Sequence, residues 1–282
     1  MRINIICVCG AGTMGSGIAQ IAAQSGFNTI LYELNRGVLE KAKDIIGKDL
    51  DILVGKGKIT VEEKEATIER IRFTSDVQIC VADVFIEAII EKPEAKIALF
   101  NQLAGINHGE CIFASNTSSL SVSAIAVQVE KPERIIGMHF FNPAPLMKLV
   151  EVVNTGYTKK ETIKAICELA RAMGKTPVVC KDSPGFIVNR VARPYYIESL
   201  RLVEEKLVGY TTIDKLMEAT GFKMGPFKLM DLIGNDVNYA VSCSVHEQLY
   251  QPDRLKPSYI QKEKVEKGEL GRKTGKGYYD YS

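Results

Sequence analysis

Ile3-Asn4-Ile5-Ile6-Cys7-Val8-Cys9-Gly10-Ala11-Gly12-Thr13-Met14-Gly15 runs from an apolar segment directly into three glycines spaced G-x-G-x-x-G. The Ile/Val-rich run Ile3–Cys9 predicts a buried strand, and the amphipathic stretch Thr13–Ser25 predicts a helix. Between a strand and a helix, this glycine spacing is the fingerprint of a dinucleotide site. Gly10 permits the tight turn, Gly12 lets the backbone approach a pyrophosphate, and Gly15 lets helix and strand pack closely. The anion then rests on the N–H groups of the helix N-terminus, around Thr13 and Met14.

A lone glycine triplet is a weak signal, but Glu33 supplies a second anchor. It ends the next apolar run, 18 residues after Gly15. A carboxylate there binds the adenosine ribose hydroxyls and repels a 2′-phosphate, so NAD(H) is expected over NADP(H). Arg36 nearby is the contrary charge. The plain alternative is a glycine turn in a βαβ unit that binds nothing.

Outward from this loop, short runs rich in Ile, Val and Phe recur at Thr29–Tyr32, Val84–Ile90, Cys111–Ala114, Ile135–His139 and Val150–Val153. Between them lie helical stretches at Arg36–Val54, Pro93–Ile106 and Lys160–Met173. Alternation of this kind means βαβ units in a doubly wound, mostly parallel, Rossmann-like sheet. After Val178-Val179-Cys180 the pattern turns helical, with stretches at Ile187–Val208, Thr211–Glu218 and Phe227–Tyr250. The turn-forming Asp182-Ser183-Pro184-Gly185 marks the break. The expectation is an α/β protein with an NAD-binding domain over 1–182 and an all-helical domain over 183–282.

Composition narrows the class. Of 282 residues, 46% are hydrophobic and 25% charged, the balance of a soluble globular chain. A net charge of +2 argues against nucleic-acid binding by bulk charge. Seven cysteines, an odd number without a CxxC pair, read as thiols in a reducing, cytoplasmic setting, with no metal site. Cys7 and Cys9 read as strand packing. No secretory leader or membrane span is expected.

Hydride chemistry at a dinucleotide requires a group that manages a proton. Among three histidines, His108 lies in a polar loop and His246 in a helix. His139 ends an apolar strand, before Phe140-Phe141-Asn142-Pro143-Ala144-Pro145. The prolines turn the chain, so Glu151 in the next run returns beside His139. A carboxylate on one imidazole nitrogen fixes the tautomer and raises the basicity of the other; the alternative is a structural strand-end histidine. The polar run Ser115-Asn116-Thr117-Ser118-Ser119 follows another strand and is expected in the same crevice, since ligands of open sheets sit at the carboxyl ends of strands. One of its serines would equally suit a cap for the helical stretch Ser121–Val127. Asn189, in the first turns of the first C-terminal helix, is placed to reach a cleft between the domains.

Together GAGTMGSGIAQ, FASNTSSLS, GMHFFNPAPLMKLVEV and DSPGFIVNR resemble the short-chain 3-hydroxyacyl-CoA dehydrogenases, in particular the bacterial 3-hydroxybutyryl-CoA enzymes. The similarity runs from residue 2 to the terminal GRKTGKGYYDY. The resemblance implies NAD-dependent, reversible oxidation of (S)-3-hydroxyacyl-CoA, with His139 as general acid/base and Glu151 as its orienting partner. It implies that Ser118 and Asn189 hydrogen-bond the substrate's 3-oxygen or the histidine. Ala88, Glu91, Lys96, Ser118 and Asn142 match positions around the nicotinamide and its ribose, and Lys273 matches a basic residue that approaches NAD. Lys56 and Lys58 match basic positions against CoA, although Gly55 stands where relatives often carry a lysine. Their alternative is a solvated turn, and that of GRKTGKGYYDY is a frayed tail.

Further departures are Glu33 for the commoner aspartate, and Lys223 and Asn235 where proline and leucine are frequent. In the family the helical domain makes a dimer, so a homodimer or larger homo-oligomer is implied, with an acyl-CoA substrate and neither nucleic acid nor membrane as partner. Two other readings are another two-domain Rossmann dehydrogenase, of the hydroxyacid or sugar-nucleotide type, and a catalytically silent NAD-binding relative. The first relies on a lysine or cysteine in the second domain, and the second predicts loss of Ser118, His139, Glu151 or Asn189, all of which are present.

Overall fold

Short apolar runs and the amphipathic stretches between them become alternating strands and helices through the first 182 residues. In chain order these are β1 (Ile5–Cys9), α1 (Thr13–Gln24), β2 (Asn28–Tyr32), α2 (Arg36–Gly55), α3 (Val61–Glu69), β3 (Ile71–Thr74) and β4 (Val84–Glu87). There follow α4 (Pro93–Ile106), β5 (Ile112–Ser115), α5 (Val122–Ala126), β6 (Ile135–Phe140), β7 (Leu149–Asn154), α6 (Lys160–Ala172) and β8 (Thr176–Lys181). This computed structural model describes residues 2–107 and 109–282, so His108 lies outside the described residues.

Among the described residues the strands form one sheet in the order β3-β2-β1-β4-β5-β6-β7-β8. All neighbours are parallel except β6 and β7. The exception has a simple cause. A parallel crossover needs a dozen or more residues, and only residues 141–148 separate β6 from β7. Central strands are buried on both faces, as helix-covered parallel strands must be. The edge strands β3 and β8 carry exposed positions, Arg72 in one and Val178 and Val179 in the other. Arg72 interrupts β3, whereas β8 contains the Val178-Val179-Cys180 after which the sequence turns helical.

Several helices begin with a side chain that accepts first-turn N–H groups. Asn35 caps α2, Thr60 and Glu63 form a capping box on α3, and Ser121 caps α5. The run Val84–Ile90 ends as a strand at Glu87; the Ala88 N–H still donates to the Cys9 carbonyl at 2.7 Å, and Ile90 is exposed. Cys7 and Cys9 are buried on β1 with their sulfurs 3.9 Å apart.

The chain divides into two compact units, Met1–Asp182 and Ser183–Ser282. The second consists of α7 (Val188–Glu204), α8 (Tyr210–Ala219), α9 (Pro226–Ile233), α10 (Asn235–Gln248) and α11 (Tyr259–Glu266). The single helical stretch expected over Phe227–Tyr250 is two helices. Gly234, at φ +104°, breaks it in a conformation that side chains avoid. Tyr196, Leu200, Ile213, Phe227, Met230 and Tyr278 form the unit's main core.

The C-terminal segment is not a frayed tail. Buried Asp231 accepts the N–H groups of Tyr278 and Tyr279 at 3.0 Å each, the Tyr281 hydroxyl and the Asn235 amide. Buried Asp214 accepts the Tyr279 hydroxyl at 2.8 Å. Asp231→Ala removes an acceptor common to four donors and is expected to cost about 3 kcal/mol or more. Urea denaturation measures the loss, and faster proteolysis of the last ten or so residues locates it.

Candidate active site

Gly10 has φ +99°, and a Cβ there would meet the Ala88 carbonyl oxygen at 2.6 Å. At Gly15 a Cβ would fall 1.8 Å from the Gly10 oxygen. Both positions therefore exclude a side chain. Gly12, the N-cap of α1, faces open space, with nothing within 4 Å of where a Cβ would stand. No side chain caps α1 and no acidic residue occupies its first turn, so its N–H groups and positive dipole end are presented to an anion. Glu33 stands beside this loop just past β2. Its carboxylate accepts the Ala11 N–H at 3.1 Å and the Asn35 N–H at 3.0 Å, which aims it along the loop. An open glycine turn, an uncapped helix and a fixed carboxylate together fit a dinucleotide: pyrophosphate on the turn and ribose hydroxyls on Glu33. Arg36, the contrary charge, turns toward Ser75, its Nε 3.4 Å from the hydroxyl.

At the carboxyl end of β6, antiparallel pairing sets His139 directly opposite Glu151 on β7. Directly opposed residues share a face of the sheet, and here both are buried. His139 Nδ1 lies 2.7 Å from Glu151 Oε2. A carboxylate can only accept, so Nδ1 carries the proton and Nε2 of the neutral ring keeps its lone pair. Phe141 packs against the imidazole, with ring centroids 4.5 Å apart. Asn116, at the end of neighbouring β5, accepts the Phe140 N–H at 2.8 Å and joins the polar run to the end of β6. The cap of α5 is Ser121, which lies beyond that run, so none of the run's own serines serves as the helix cap.

A buried ionic network lies at the ends of β4 and β5. The Lys96 ammonium is 2.5 Å from Glu87 Oε1 and 3.1 Å from Glu91 Oε2. Glu87 also accepts the Ile89 N–H at 2.8 Å and the Ser115 hydroxyl at 2.7 Å. Glu91 accepts the Thr117 and Ser119 hydroxyls and the Ser118 N–H. Burial raises the Glu87 carboxyl above its ordinary value, against the pull of Lys96 and Ser115. For Glu91 burial also pushes upward, but Lys96, Thr117 and the Ser118 N–H outweigh it and the net shift is downward. Glu91, Lys96 and Ser118, singled out by resemblance, are thus one connected group. Glu87, the carboxylate that joins Lys96 to Ser115, was missed. Its signal was a lone acid closing the apolar run Val84-Phe85-Ile86, nine residues before a lysine.

Lys175 was missed as well. It is buried, and its ammonium donates to the carbonyls of Ala144 at 2.6 Å and Met147 at 2.9 Å, clamping the segment that carries Asn142. Burial lowers its pKa, as does neighbouring Lys148. The Asn142–Pro143 peptide is cis. Lys56 and Lys58 are exposed at the C-terminal end of α2 and, among the described residues, form no ion pair. In the second unit Asn189 lies in the first turn of α7. Lys273 pairs with Asp236 at 2.6 Å, and His246 is half-buried on α10. Among the described residues no cluster of three or more His, Cys, Asp or Glu could hold a metal ion, and no helix is long and apolar enough to cross a membrane.

Two family models match the chain. That of the 3-hydroxyacyl-CoA dehydrogenase NAD-binding domain covers residues 5–183, and that of the 3-hydroxyacyl-CoA dehydrogenase C-terminal domain covers residues 185–281. A 3-hydroxyadipyl-CoA dehydrogenase of Escherichia coli is 47% identical over 285 residues, spanning 100% of this chain and 60% of its own length. The chain therefore corresponds to about three-fifths of that relative. The mitochondrial hydroxyacyl-coenzyme A dehydrogenase of Sus scrofa is 39% identical over 288 residues, 99% of this chain and 91% of the relative. The crystal structure of an (S)-3-hydroxybutyryl-CoA dehydrogenase from Ralstonia eutropha superposes with a TM-score of 0.95 at 36% identity, covering 100% of both chains.

Lys96→Met leaves the Glu87 carboxyl buried without its cation and is expected to cost about 3 kcal/mol of stability. The loss depends on pH. A carboxyl whose folded pKa is raised favours the folded state while protonated, and that advantage fades as pH climbs from the unfolded carboxylate range toward the folded value. The deficit of the variant should therefore be larger at about pH 8 than at about pH 5. Urea midpoints at the two values read it directly.

Proposed function

Because this chain belongs to the 3-hydroxyacyl-CoA dehydrogenase family, we propose that it catalyses the NAD-dependent, reversible oxidation of (S)-3-hydroxyacyl-CoA to 3-ketoacyl-CoA, with 3-hydroxybutyryl-CoA and acetoacetyl-CoA as a substrate pair. The observation that carries this reading is the His139–Glu151 pair, Nδ1 to Oε2 at 2.7 Å. Glu151 holds the Nδ1 proton and leaves Nε2 as the base. In oxidation, Nε2 takes the proton of the 3-hydroxyl; in reduction it returns that proton to the 3-keto oxygen. The imidazolium formed in between is stabilised by the adjacent carboxylate, an interaction strengthened by burial.

NAD, when bound, supplies the redox chemistry by accepting hydride from C3 of the substrate. The chain's own contribution is to hold it. Gly10, Gly12, Thr13, Met14 and Gly15 present backbone to the pyrophosphate, and Glu33 takes the ribose hydroxyls. Glu91, Lys96, Ala88 and Asn142 are assigned to the nicotinamide end. Ser118 is assigned to the substrate's 3-oxygen, where a preorganised donor stabilises developing charge. Asn189 and Lys273 enter on the resemblance of their motifs, as do Lys56 and Lys58 for the CoA phosphates and a homodimer for the assembly. The Escherichia coli relative is named for 3-hydroxyadipyl-CoA, so acyl chains that end in a carboxylate belong among the substrates to be assayed.

The test is oxidation of NADH with acetoacetyl-CoA, followed by loss of NADH absorbance. Turnover is expected, with NADPH a much poorer donor because Glu33 opposes its 2′-phosphate; absence of turnover with every 3-ketoacyl-CoA refutes the reading. His139→Gln is expected to retain NADH affinity while losing roughly 10²–10⁴-fold in kcat. A loss of less than about threefold would remove the histidine from the proton transfer.

A further inference from the structure

Residues 141–148, which join β6 to β7, include Pro143 and Pro145, and neither proline has an N–H to donate. Within the segment the Pro143 carbonyl accepts the N–H groups of Leu146 and Met147 at 3.0 Å each. The carbonyls of Ala144, Pro145 and Met147 face the Lys175 ammonium instead, with Nζ at 2.6, 3.4 and 2.9 Å. An ammonium carries three N–H donors and no acceptor. One side chain from between α6 and β8 thus supplies donors to a stretch that is short of its own.

The connection is otherwise at the surface, with Asn142, Pro143, Leu146, Met147 and Lys148 exposed. Ala144 is buried, and it is held from two sides. On one side its carbonyl accepts from Lys175. On the other lies Gly17 of α1, where a Cβ would stand 2.9 Å from Pro145 Cδ and 3.3 Å from the Ala144 Cβ. No side chain fits between helix and segment at that point, so their close approach depends on the glycine. Gly17 is about one turn from Thr13, at the end of α1 presented to the pyrophosphate. Asn142 is two residues from Ala144. The anchor at Ala144 therefore links the pyrophosphate helix to the residue assigned to the nicotinamide.

We propose that Lys175 is a positioning residue for the nicotinamide end of the site. By drawing in the Ala144, Pro145 and Met147 carbonyls it seats Ala144 against Gly17, and so sets where Asn142 stands relative to the N-terminus of α1. The proposal rests on the dehydrogenase reading for the assignment of Asn142. Affinity for the dinucleotide is assigned to the glycine turn and Glu33, which are fixed by other hydrogen bonds. Rate depends on how the reacting ring is oriented, and a displacement of about 1 Å costs on the order of 10²-fold. Release of the clamp is therefore expected to lower kcat and to spare cofactor affinity.

Lys175→Met keeps an unbranched stem and removes the donors. Its kcat for reduction of acetoacetyl-CoA is expected to fall roughly 10–10²-fold, while the NADH dissociation constant stays within about threefold. Lys175→Arg should recover part of the rate. Gly17→Ala leaves Lys175 intact, pushes the same segment from the opposite side and raises helix propensity; the same split between rate and affinity is expected. Unchanged kcat in folded Lys175→Met, or a loss of NADH affinity in proportion to the loss of rate, overturns the proposal and leaves Lys175 as a structural tie.

Amide hydrogen exchange gives a reading that needs neither cofactor nor turnover. In Lys175→Met the Leu146 and Met147 amides should exchange about tenfold faster or more, the loss of roughly one hydrogen bond to a charged group, while the amides between β6 and β7 keep their protection. Unchanged exchange refutes the clamp even if the dehydrogenase reading stands. Faster exchange, together with a weaker fluorescence enhancement of bound NADH, supports it even if no 3-ketoacyl-CoA is reduced.

Discussion

One antiparallel pairing in an otherwise parallel sheet governs the candidate active site. Because residues 141–148 are too few for a crossover, β7 returns alongside β6, and the register sets Glu151 opposite His139. Side chains alternate with period two along a strand, so a slip of one residue would turn Glu151 to the other face of the sheet. Val150, Val152 and Val153 are all fully buried, so a slip would have to repack both faces of β7. Lys175 adds a second lock by drawing together the carbonyls of the connecting segment. The position of the base is thus decided by core packing, not by the flexibility of a loop.

The strand ends on the other side of this pair carry an ionic group whose composition is equally constrained. Glu87 and Lys96 are both essentially without solvent exposure. Such a pair contributes little net stability compared with apolar residues of the same volume, but losing one member is severe. What it provides is direction. Lys96 bridges Glu87 and Glu91, and Glu91 in turn collects Thr117, Ser118 and Ser119. Through Ser115 and Asn116 the same polar run reaches the end of β6. Residues from β4, β5 and β6 are therefore oriented by one continuous set of charge-assisted hydrogen bonds.

The second unit uses buried charge in two ways. Asp214 and Asp231 are saturated with donors, and they fasten the C-terminal segment to α8 and α9. Gly277 belongs to this arrangement, because a Cβ there would stand 2.0 Å from an Asp231 oxygen. Arg193 is the opposite case, a cation supplied with dipoles and no acid.

Local features were legible without coordinates. The glycine spacing, the acid at the end of the second apolar run and the helix Pro93–Ile106 each follow from backbone sterics or periodicity within about twenty residues, and each stands where that reasoning puts it. The pairing of His139 with Glu151 was anticipated because two prolines in a short connection restrict the chain to a return. The edge strand β3 escaped notice, since a strand with an exposed face lacks the apolar run that identifies a buried one. The break at Gly234 escaped too, because an isolated glycine inside a helical pattern carries either meaning. Glu87 showed only as a lone acid closing an apolar run, and its partners, those of Lys175 and the neutral surroundings of Arg193 were beyond sequence reading. Their character depends on which carbonyls and carboxylates lie nearby after folding, and segments distant in the chain supply those groups. The sequence by itself determined where the backbone turns and which faces are apolar, because sterics and hydrophobic periodicity act over short range. Only the tertiary structure decided which buried charges meet a partner, because burial removes the water that would otherwise make every charge equivalent.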